Sequence, residues 1–158
     1  MRVTLICVGK TNFEFVEKGV ALYSGRISHY CKFEAVYIPD LKNVGALTKE
    51  QIKQKEGELI LKEIGKREAY TVLLDERGKS YSSIDWASHL EKILAGAGKD
   101  LVFVIGGAYG FSKEVYDKAK EKLSLSQMTF SHQIIRLIFA EQLYRAFTII
   151  KGEPYHHE

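Results

Sequence analysis

The sequence predicts an α/β fold in which helices cover both faces of a mainly parallel sheet. Short apolar runs recur along the chain, and longer segments with apolar residues at helical spacing separate them. A chain that alternates strands with helices forms a parallel sheet, because each helix returns the chain across one face. The 158 residues suffice for one hydrophobic core and are too few for two comfortable domains. We therefore expect a single domain over residues 1–158.

The first two predicted strands flank an amphipathic helix. Residues 2–8 form an apolar run that ends at Gly9, and residues 32–38 alternate between apolar and polar side chains up to Pro39. Between them, residues 12–29 have an approximate apolar stripe at helical spacing. This order predicts strand, helix and strand.

A charged helix and a buried strand follow. After a loop at 41–46, Thr48 begins a weak capping box, which predicts a helix that runs to Ile64. Residues 69–74 are an apolar run, as expected of a buried strand. The polar residues 75–78 then indicate a turn.

The next helix leads to the most apolar strand of the chain. Ser82 or Ser83 caps this helix, and the Gly-Ala-Gly sequence at 96–98 ends it. Residues 101–105 are continuously apolar, which is typical of a strand buried on both faces.

Two serine-capped helices complete the pattern. Ser112 caps a helix whose first turn contains an acid, as the helix dipole favours. The segment 123–130 mixes polar and apolar residues and takes the place of a fifth strand. Ser131 then caps the last helix, at about 132–150.

The predicted binding site lies at the carboxyl ends of the last two strands. Gly106 and Gly107 follow the strand at 101–105, and their lack of a Cβ lets a ligand approach the backbone closely. In open α/β sheets, ligands bind at the carboxyl ends of the strands. We therefore expect the glycine pair and the segment 123–130 to hold an uncharged, adenosine-like group.

The last helix is apolar around most of its circumference, which indicates burial on several sides. We expect a second subunit to cover it through a two-fold interface, with the chain's own C-terminus as the alternative cover. Arg136, Glu141 and Arg145 interrupt its apolar surface. Such charges are costly unless they are paired or functional, so they are site candidates. Arg145 suits an anionic substrate, whereas Glu141 could equally form an interface ion pair.

The chain ends on aromatic and imidazole side chains, Tyr155, His156 and His157. A tail of this kind could stack on a base and move a proton. Terminal histidines also occur without a role or as weak metal binders, and the residue types alone do not decide between these possibilities.

Several function classes find no support in the sequence. It contains no nucleophile elbow, Walker loop, G-x-G-x-x-G motif or cluster of metal ligands. Its two cysteines lack disulfide or metal spacing, which points to a reducing compartment. No secretion signal or membrane-length segment is present, so we expect a cytoplasmic protein. The net charge of +3 permits a polyanionic partner without requiring one.

Five segments resemble one enzyme family over essentially the whole chain: LICVGK, LLDERGK, FVIGGAYG, LSLSQMTFSHQ and EQLYRAFTIIKGEPYH. This family is the bacterial ribosomal RNA large-subunit methyltransferases of the SPOUT superfamily, which methylate N3 of a pseudouridine in 23S ribosomal RNA. The resemblance implies S-adenosylmethionine as methyl donor and a trefoil knot over residues 70–158. It also implies an obligate homodimer with active sites between the subunits. The small charge excess and the lack of an RNA-binding appendage favour the assembled ribosome as substrate.

The resemblance also assigns site residues. Tyr155 and His156 would form the catalytic and RNA-contacting tail, supported by Glu141 and by Arg145, which would hold a phosphate. His156 would act as the proton acceptor or as its hydrogen-bonded orienter. The methyl donor would contact Leu74, Gly107, Ser126, Gln127, Met128, Thr129, Phe130 and Ser131.

The chain departs from the family pattern at two positions. Ser131 stands where proline is usual, and serine is expected to preserve the helix cap. Tyr109 stands where a short polar residue is frequent. Two other functions stay open: a nonenzymatic ribosome-associated nucleotide binder, and a transfer RNA methyltransferase of the same superfamily. The EPYHH tail argues against both, and the missing extra domain argues against the second.

Overall fold

A computed structural model describes residues 1–96 and 100–157. Ala97 and Gly98, part of the predicted helix stop, lie outside the described residues. Within these ranges a short 3-10 turn, Val44–Ala46, lies in the predicted loop. The strands are Arg2–Val8 (β1), Lys32–Ile38 (β2), Ala69–Ser80 (β3), Asp100–Ile105 (β4) and Glu121–Ser124 (β5). The α-helices are Glu14–Ile27 (α1), Lys49–Ile64 (α2), Ser83–Gly96 (α3), Lys113–Lys118 (α4) and Ile134–Lys151 (α5).

The strands form one parallel sheet in the order β2-β1-β4-β3-β5. This confirms the predicted α/β class with its parallel sheet. Because all strands point the same way, the carboxyl ends of β4, β3 and β5 lie side by side at one edge of the sheet.

Two hydrophobic cores lie on opposite faces of the sheet, as predicted. On β4, Phe103 and Ile105 face a core under α1, α3 and α5. Val102 and Val104 alternate with them and face a second core under α2 and α4. Both sets of side chains are almost completely buried, which explains why this strand is continuously apolar.

Three of the predicted helix caps are confirmed, whereas the cap predicted at Ser131 is wrong, since the N-cap residue of α5 is Gln133. The Thr48 hydroxyl and the Gln51 side chain form a reciprocal capping box at α2. Ser82, rather than Ser83, accepts a hydrogen bond from the first turn of α3. Ser112 caps α4. The Ser131 hydroxyl accepts from the amide of Ile134 at 3.1 Å, at the start of α5.

The turn predicted at 75–78 is wrong in part, since β3 continues to Ser80. Leu74 and Lys79 both pair with Leu123, so the intervening residues leave the ladder as a bulge and the strand then resumes. Gly78 allows the close approach, because a Cβ there would lie 2.6 Å from the backbone of β5.

The fifth strand is shorter than the predicted segment 123–130. It ends at Ser124, whose hydroxyl donates to the carbonyl of Ser126 at 2.9 Å. The hydroxyl of Ser126 in turn accepts from the amide of Met128. These side-chain bonds replace the ladder and turn the chain out of the sheet.

Within residues 1–96 and 100–157, no helix combines the length and the apolar composition needed to cross a membrane.

Candidate active site

A cleft of about 630 Å³ opens at the carboxyl ends of three neighbouring strands. Leu74 of β3, Ile105 of β4 and Leu123 of β5 form its base. The glycine loop (residues 106–110) and the polar loop (residues 125–133) supply much of its remaining wall. The cleft lies at the edge where the sequence placed the binding site, because parallel strands bring these ends together.

The glycine loop is a tight turn, closed by a bond from the Gly110 amide to the Gly107 carbonyl at 3.2 Å. A Cβ on Gly107 would lie 2.6 Å from an oxygen of the Glu56 carboxylate, so a side chain there would displace that carboxylate or the loop. The next residue after the turn, Phe111, is buried and holds the loop against the protein. The loop therefore presents its backbone to the cleft.

Glu56 on α2 is a half-buried acid that the sequence analysis did not single out. Its Oε1 atom is inaccessible to solvent and has no hydrogen-bond partner among the described residues. Burial, and then the charge of Asp40, raise the pKa of Glu56 above its ordinary value. Glu56 falls at helical spacing between Ile52 and Ile60, on the apolar side of α2, and this position was the available signal.

The polar loop is held in place by short-range bonds and by one contact to the β3 bulge. The hydroxyl of Thr129 donates to Glu76 at 2.6 Å. Gln127 is exposed and does not line the cleft. The other predicted donor contacts do line it: Leu74, Gly107, Ser126, Met128, Thr129, Phe130 and Ser131.

The sequence analysis missed six cleft residues with polar side chains: Lys53, Asp75, Glu76, Arg77, Tyr116 and His132. The Tyr116 hydroxyl donates a short hydrogen bond to Asp75. Burial, followed by this bond, raises the pKa of Tyr116 to about 12. The polar residues after Leu74 were the available signal, but they were interpreted only as a turn.

Glu141, Arg145, Tyr155 and His156 form a tail cluster on α5. Arg145 donates to Glu141 through Nε at 3.0 Å and through Nη2. Its Nη1 lies 3.0 Å from Nδ1 of His156. The Tyr155 hydroxyl donates to Glu141 at 3.2 Å, and its ring lies 4.8 Å from the guanidinium carbon. Burial first, and then a hydrogen bond with Tyr23, raise the pKa of Tyr155.

The tail cluster and the cleft are separate within one chain. None of the four cluster residues lines the cleft. Ile135 does, and Glu141 and Arg145 follow it by six and ten residues on α5, or roughly 9 and 15 Å along the helix axis. The structure thus brings together the predicted donor contacts other than Gln127 and, in a different place, the predicted catalytic residues.

Arg136, the remaining candidate on α5, has a structural role. Its side chain is buried and donates to the carbonyls of Val8 and His132 at 2.8 and 3.0 Å. A third bond, of 3.0 Å, reaches the hydroxyl of Thr11. These bonds join the start of α5 to the end of β1.

A family model described as "Predicted SPOUT methyltransferase" matches residues 1–156 of this chain. The chain belongs to the SPOUT methyltransferase family. A protein of Parabacteroides distasonis named "Ribosomal RNA large subunit methyltransferase H" is 53% identical over 158 residues, which are 100% of each chain. A protein of the same name from Christiangramia forsetii is 53% identical over 157 residues, 99% of each.

One solved structure supports the fold of this SPOUT methyltransferase. It is that of a probable methylase family protein from Haemophilus influenzae, with a TM-score of 0.54 and 15% identity. The match covers 99% of this chain and 70% of the other. At this identity the likeness shows the fold alone.

The enzyme is a methyltransferase, and S-adenosylmethionine is its methyl donor. The cleft suits this molecule, because it combines apolar side chains with a glycine backbone that a Cβ at Gly107 would disrupt. Leu74, Leu125 and Phe130 would pack against the adenosine part. The glycine loop and Ser126 would supply polar groups.

Proposed function

We propose that this enzyme methylates N3 of pseudouridine 1915 in 23S ribosomal RNA, on the assembled ribosome. Full-length relatives that are 53% identical carry the name of a large-subunit ribosomal RNA methyltransferase, which supports this substrate. The observation that carries the proposal is the tail cluster, because it folds the last residues of the chain onto α5 as an ordered polar group.

We further infer that the enzyme acts as a homodimer in the cytoplasm, as a single domain with a C-terminal knot. Since the tail cluster lies away from the cleft of its own chain, a second copy is needed to place a cluster over each cleft. Several apolar side chains of α1 and α5 stay partly or largely accessible, including Leu22 and Ile138. These would be covered in a dimer.

The contact with Arg145 indicates which ring nitrogen of His156 carries the proton. A guanidinium group has no acceptor, so the Arg145 N–H donates to Nδ1 of His156. A neutral imidazole with Nδ1 as acceptor carries its proton on Nε2. His156 is therefore set up as a hydrogen-bond donor. This favours its role as an orienter over its role as proton acceptor.

The reaction replaces the N3 proton of pseudouridine with a methyl group. S-adenosylmethionine, when bound, supplies a methyl group activated by its positive sulfonium. As N3 loses its proton to water, negative charge spreads to the two carbonyl oxygens beside it. The Nε2–H of His156 would donate to one of these oxygens and stabilise that charge, as an oxyanion-hole donor does. The charge of Arg145, behind the imidazole, strengthens this effect.

Glu141 and Tyr155, the other two residues of the tail cluster, would position Arg145 and His156. Glu141 accepts from both Arg145 and Tyr155, and this restricts the orientation of the guanidinium. Tyr155 places its ring against the same guanidinium. The N–H groups of Arg145 that face outward would contact a phosphate of the RNA.

The proposal is tested by methyl transfer from labelled S-adenosylmethionine to purified bacterial ribosomes. Full-length protein is compared with a version that ends at Gly152, and donor binding is measured for both. We expect both to bind the donor and only the full-length protein to transfer the methyl group. Donor binding without transfer to ribosomes would refute the substrate, and equal methylation of naked RNA would refute the assembled ribosome.

A further inference from the structure

Tyr109 is an exposed aromatic side chain at the cleft, and the donor contacts make no use of it. It lines the cleft and is 45% exposed. Met128 and Phe130 of the same cleft are exposed as well, and exposed large side chains that cluster at one cleft mark a binding surface.

The ring of Tyr109 stands on a rigid support. It occupies the tip of the glycine loop, between the residues that close the turn. Phe111, two residues after Tyr109, is 5% exposed and packs edge-on against Tyr116, with ring centroids 5.7 Å apart. An aromatic ring on a fixed turn loses little conformational entropy when a partner stacks on it.

One lysine lies over this ring, and a second lysine lines the same cleft. The Nζ atom of Lys49 lies 5.5 Å from the centroid of the Tyr109 ring. Lys53, one turn further along α2, lines the cleft and pairs with Glu50 at 3.1 Å. A stacking surface beside lysines is the combination that binds single-stranded nucleic acid, because the ring meets a base while the cation meets a phosphate.

We propose that Tyr109 stacks on an RNA base next to the target pseudouridine, while Lys49 contacts the adjoining phosphate. This inference rests on the proposed function and adds an RNA contact on the cleft side of the active site. The adenine of the methyl donor is the competing partner for the ring. The donor carries a net positive charge, however, so Lys49 beside the ring favours the polyanionic RNA.

The test compares Tyr109→Ala and Tyr109→Phe with the wild type in three measurements. These are the donor Kd by calorimetry, the KM for ribosomal particles, and binding of a short single-stranded RNA containing 2-aminopurine at low salt. We expect Tyr109→Ala to raise the ribosome KM and the RNA Kd by about tenfold or more, with the donor Kd unchanged. Tyr109→Phe keeps the ring and should stay within about twofold of the wild type.

Lys49→Ala and Lys79→Ala form a matched pair. Both lysines lie over a tyrosine ring, but Lys79 lies over Tyr81, away from the cleft. We expect Lys49→Ala to weaken RNA binding several-fold and to reduce the salt dependence of binding by about one counterion. Lys79→Ala should behave as the wild type.

Two outcomes would overturn the stacking site. A raised donor Kd with an unchanged ribosome KM would assign the ring to the donor, and no effect of Tyr109→Ala on any measurement would make it an ordinary exposed side chain. If the wild type binds RNA through Tyr109 but methylates no ribosomes, the stacking site stands and the proposed reaction fails.

Discussion

Gly107 lies where a side chain would collide with the carboxylate of Glu56, at 2.6 Å from a Cβ to Oε1. Gly107→Ala should therefore shift the glycine loop and weaken donor binding by about tenfold or more, or roughly 1.4 kcal/mol. Calorimetric titration with S-adenosylmethionine measures this effect.

Gly25→Ala is the matched control for that substitution. Gly25 lies in α1 with nothing within 4 Å of a Cβ. Alanine there should leave donor binding unchanged and raise the free energy of unfolding slightly, because alanine favours helices. Unchanged donor binding in Gly107→Ala would contradict the role of the glycine loop.

Glu56 makes stability depend on pH through its raised pKa. The folded chain holds this proton more tightly than the unfolded chain, so stability falls as pH rises above the ordinary glutamate value of 4.5. Glu56→Gln should raise Tm by about 2–4 °C at pH 8, and the gain should vanish as pH falls towards 4. Thermal unfolding over this pH range measures it.

Glu58→Gln removes one negative charge from an exposed position of the same helix and serves as the control. A Glu56→Gln variant that is less stable than the wild type at every pH would show that the carboxylate has a stabilising partner.

The two possible roles of His156, as a hydrogen-bonding orienter or as the proton acceptor, predict different effects of substitution on the rate. Glutamine at 156 could accept from Arg145 through its carbonyl and donate to the substrate through its amide. His156→Gln should therefore keep kcat within about tenfold of the wild type, whereas His156→Ala should lose about a hundredfold or more. Single-turnover methylation of ribosomes measures both rates.

His157→Ala, at the exposed neighbouring position, should retain wild-type rates. Equal loss of activity in His156→Gln and His156→Ala would contradict the orienter role and support His156 as the proton acceptor.

At the scale of elements, Arg136 connects α5 to the end of β1. It is 1% exposed and makes three hydrogen bonds to Val8, Thr11 and His132. Arg136→Met removes these donors and leaves buried carbonyls unpaired, so the free energy of unfolding should fall by about 2–4 kcal/mol. Urea denaturation measures it, with Arg136→Lys expected to recover only part, since an ammonium lacks the guanidinium fork. Wild-type stability in Arg136→Met would refute this role.

The boundaries of the elements show where local sequence patterns suffice. The β1 and β2 bounds and the caps at Thr48 and Ser112 were predictable, because apolar periodicity and side-chain caps act over a few residues. The extension of β3 past Leu74 was not. It depends on pairing with β5, which lies far away in the chain.

At the scale of the whole molecule, the separation of cleft and tail cluster predicts that two chains complete each site. We expect co-expressed Gly107→Ala protein and protein ending at Gly152 to complement each other. Random pairing makes half of the dimers mixed, each with one complete site, so about a quarter of the wild-type activity should return at a donor concentration too low to occupy the Gly107→Ala cleft. Methyl transfer by the purified mixture measures this, with each variant alone as control. No recovery in proven mixed dimers would place the site within one chain.

The sequence by itself determined the order of strands and helices, the parallel sheet with its two covered faces, and the sheet edge where the cleft opens. These follow from apolar periodicity, glycines and caps, whose effects are local. Only the tertiary structure decided that Glu56 lies under Gly107, that Arg136 joins α5 to β1 and that Arg145 lies against Nδ1 of His156. Such features depend on contacts between side chains that the fold brings together, and spacing along the chain does not encode them.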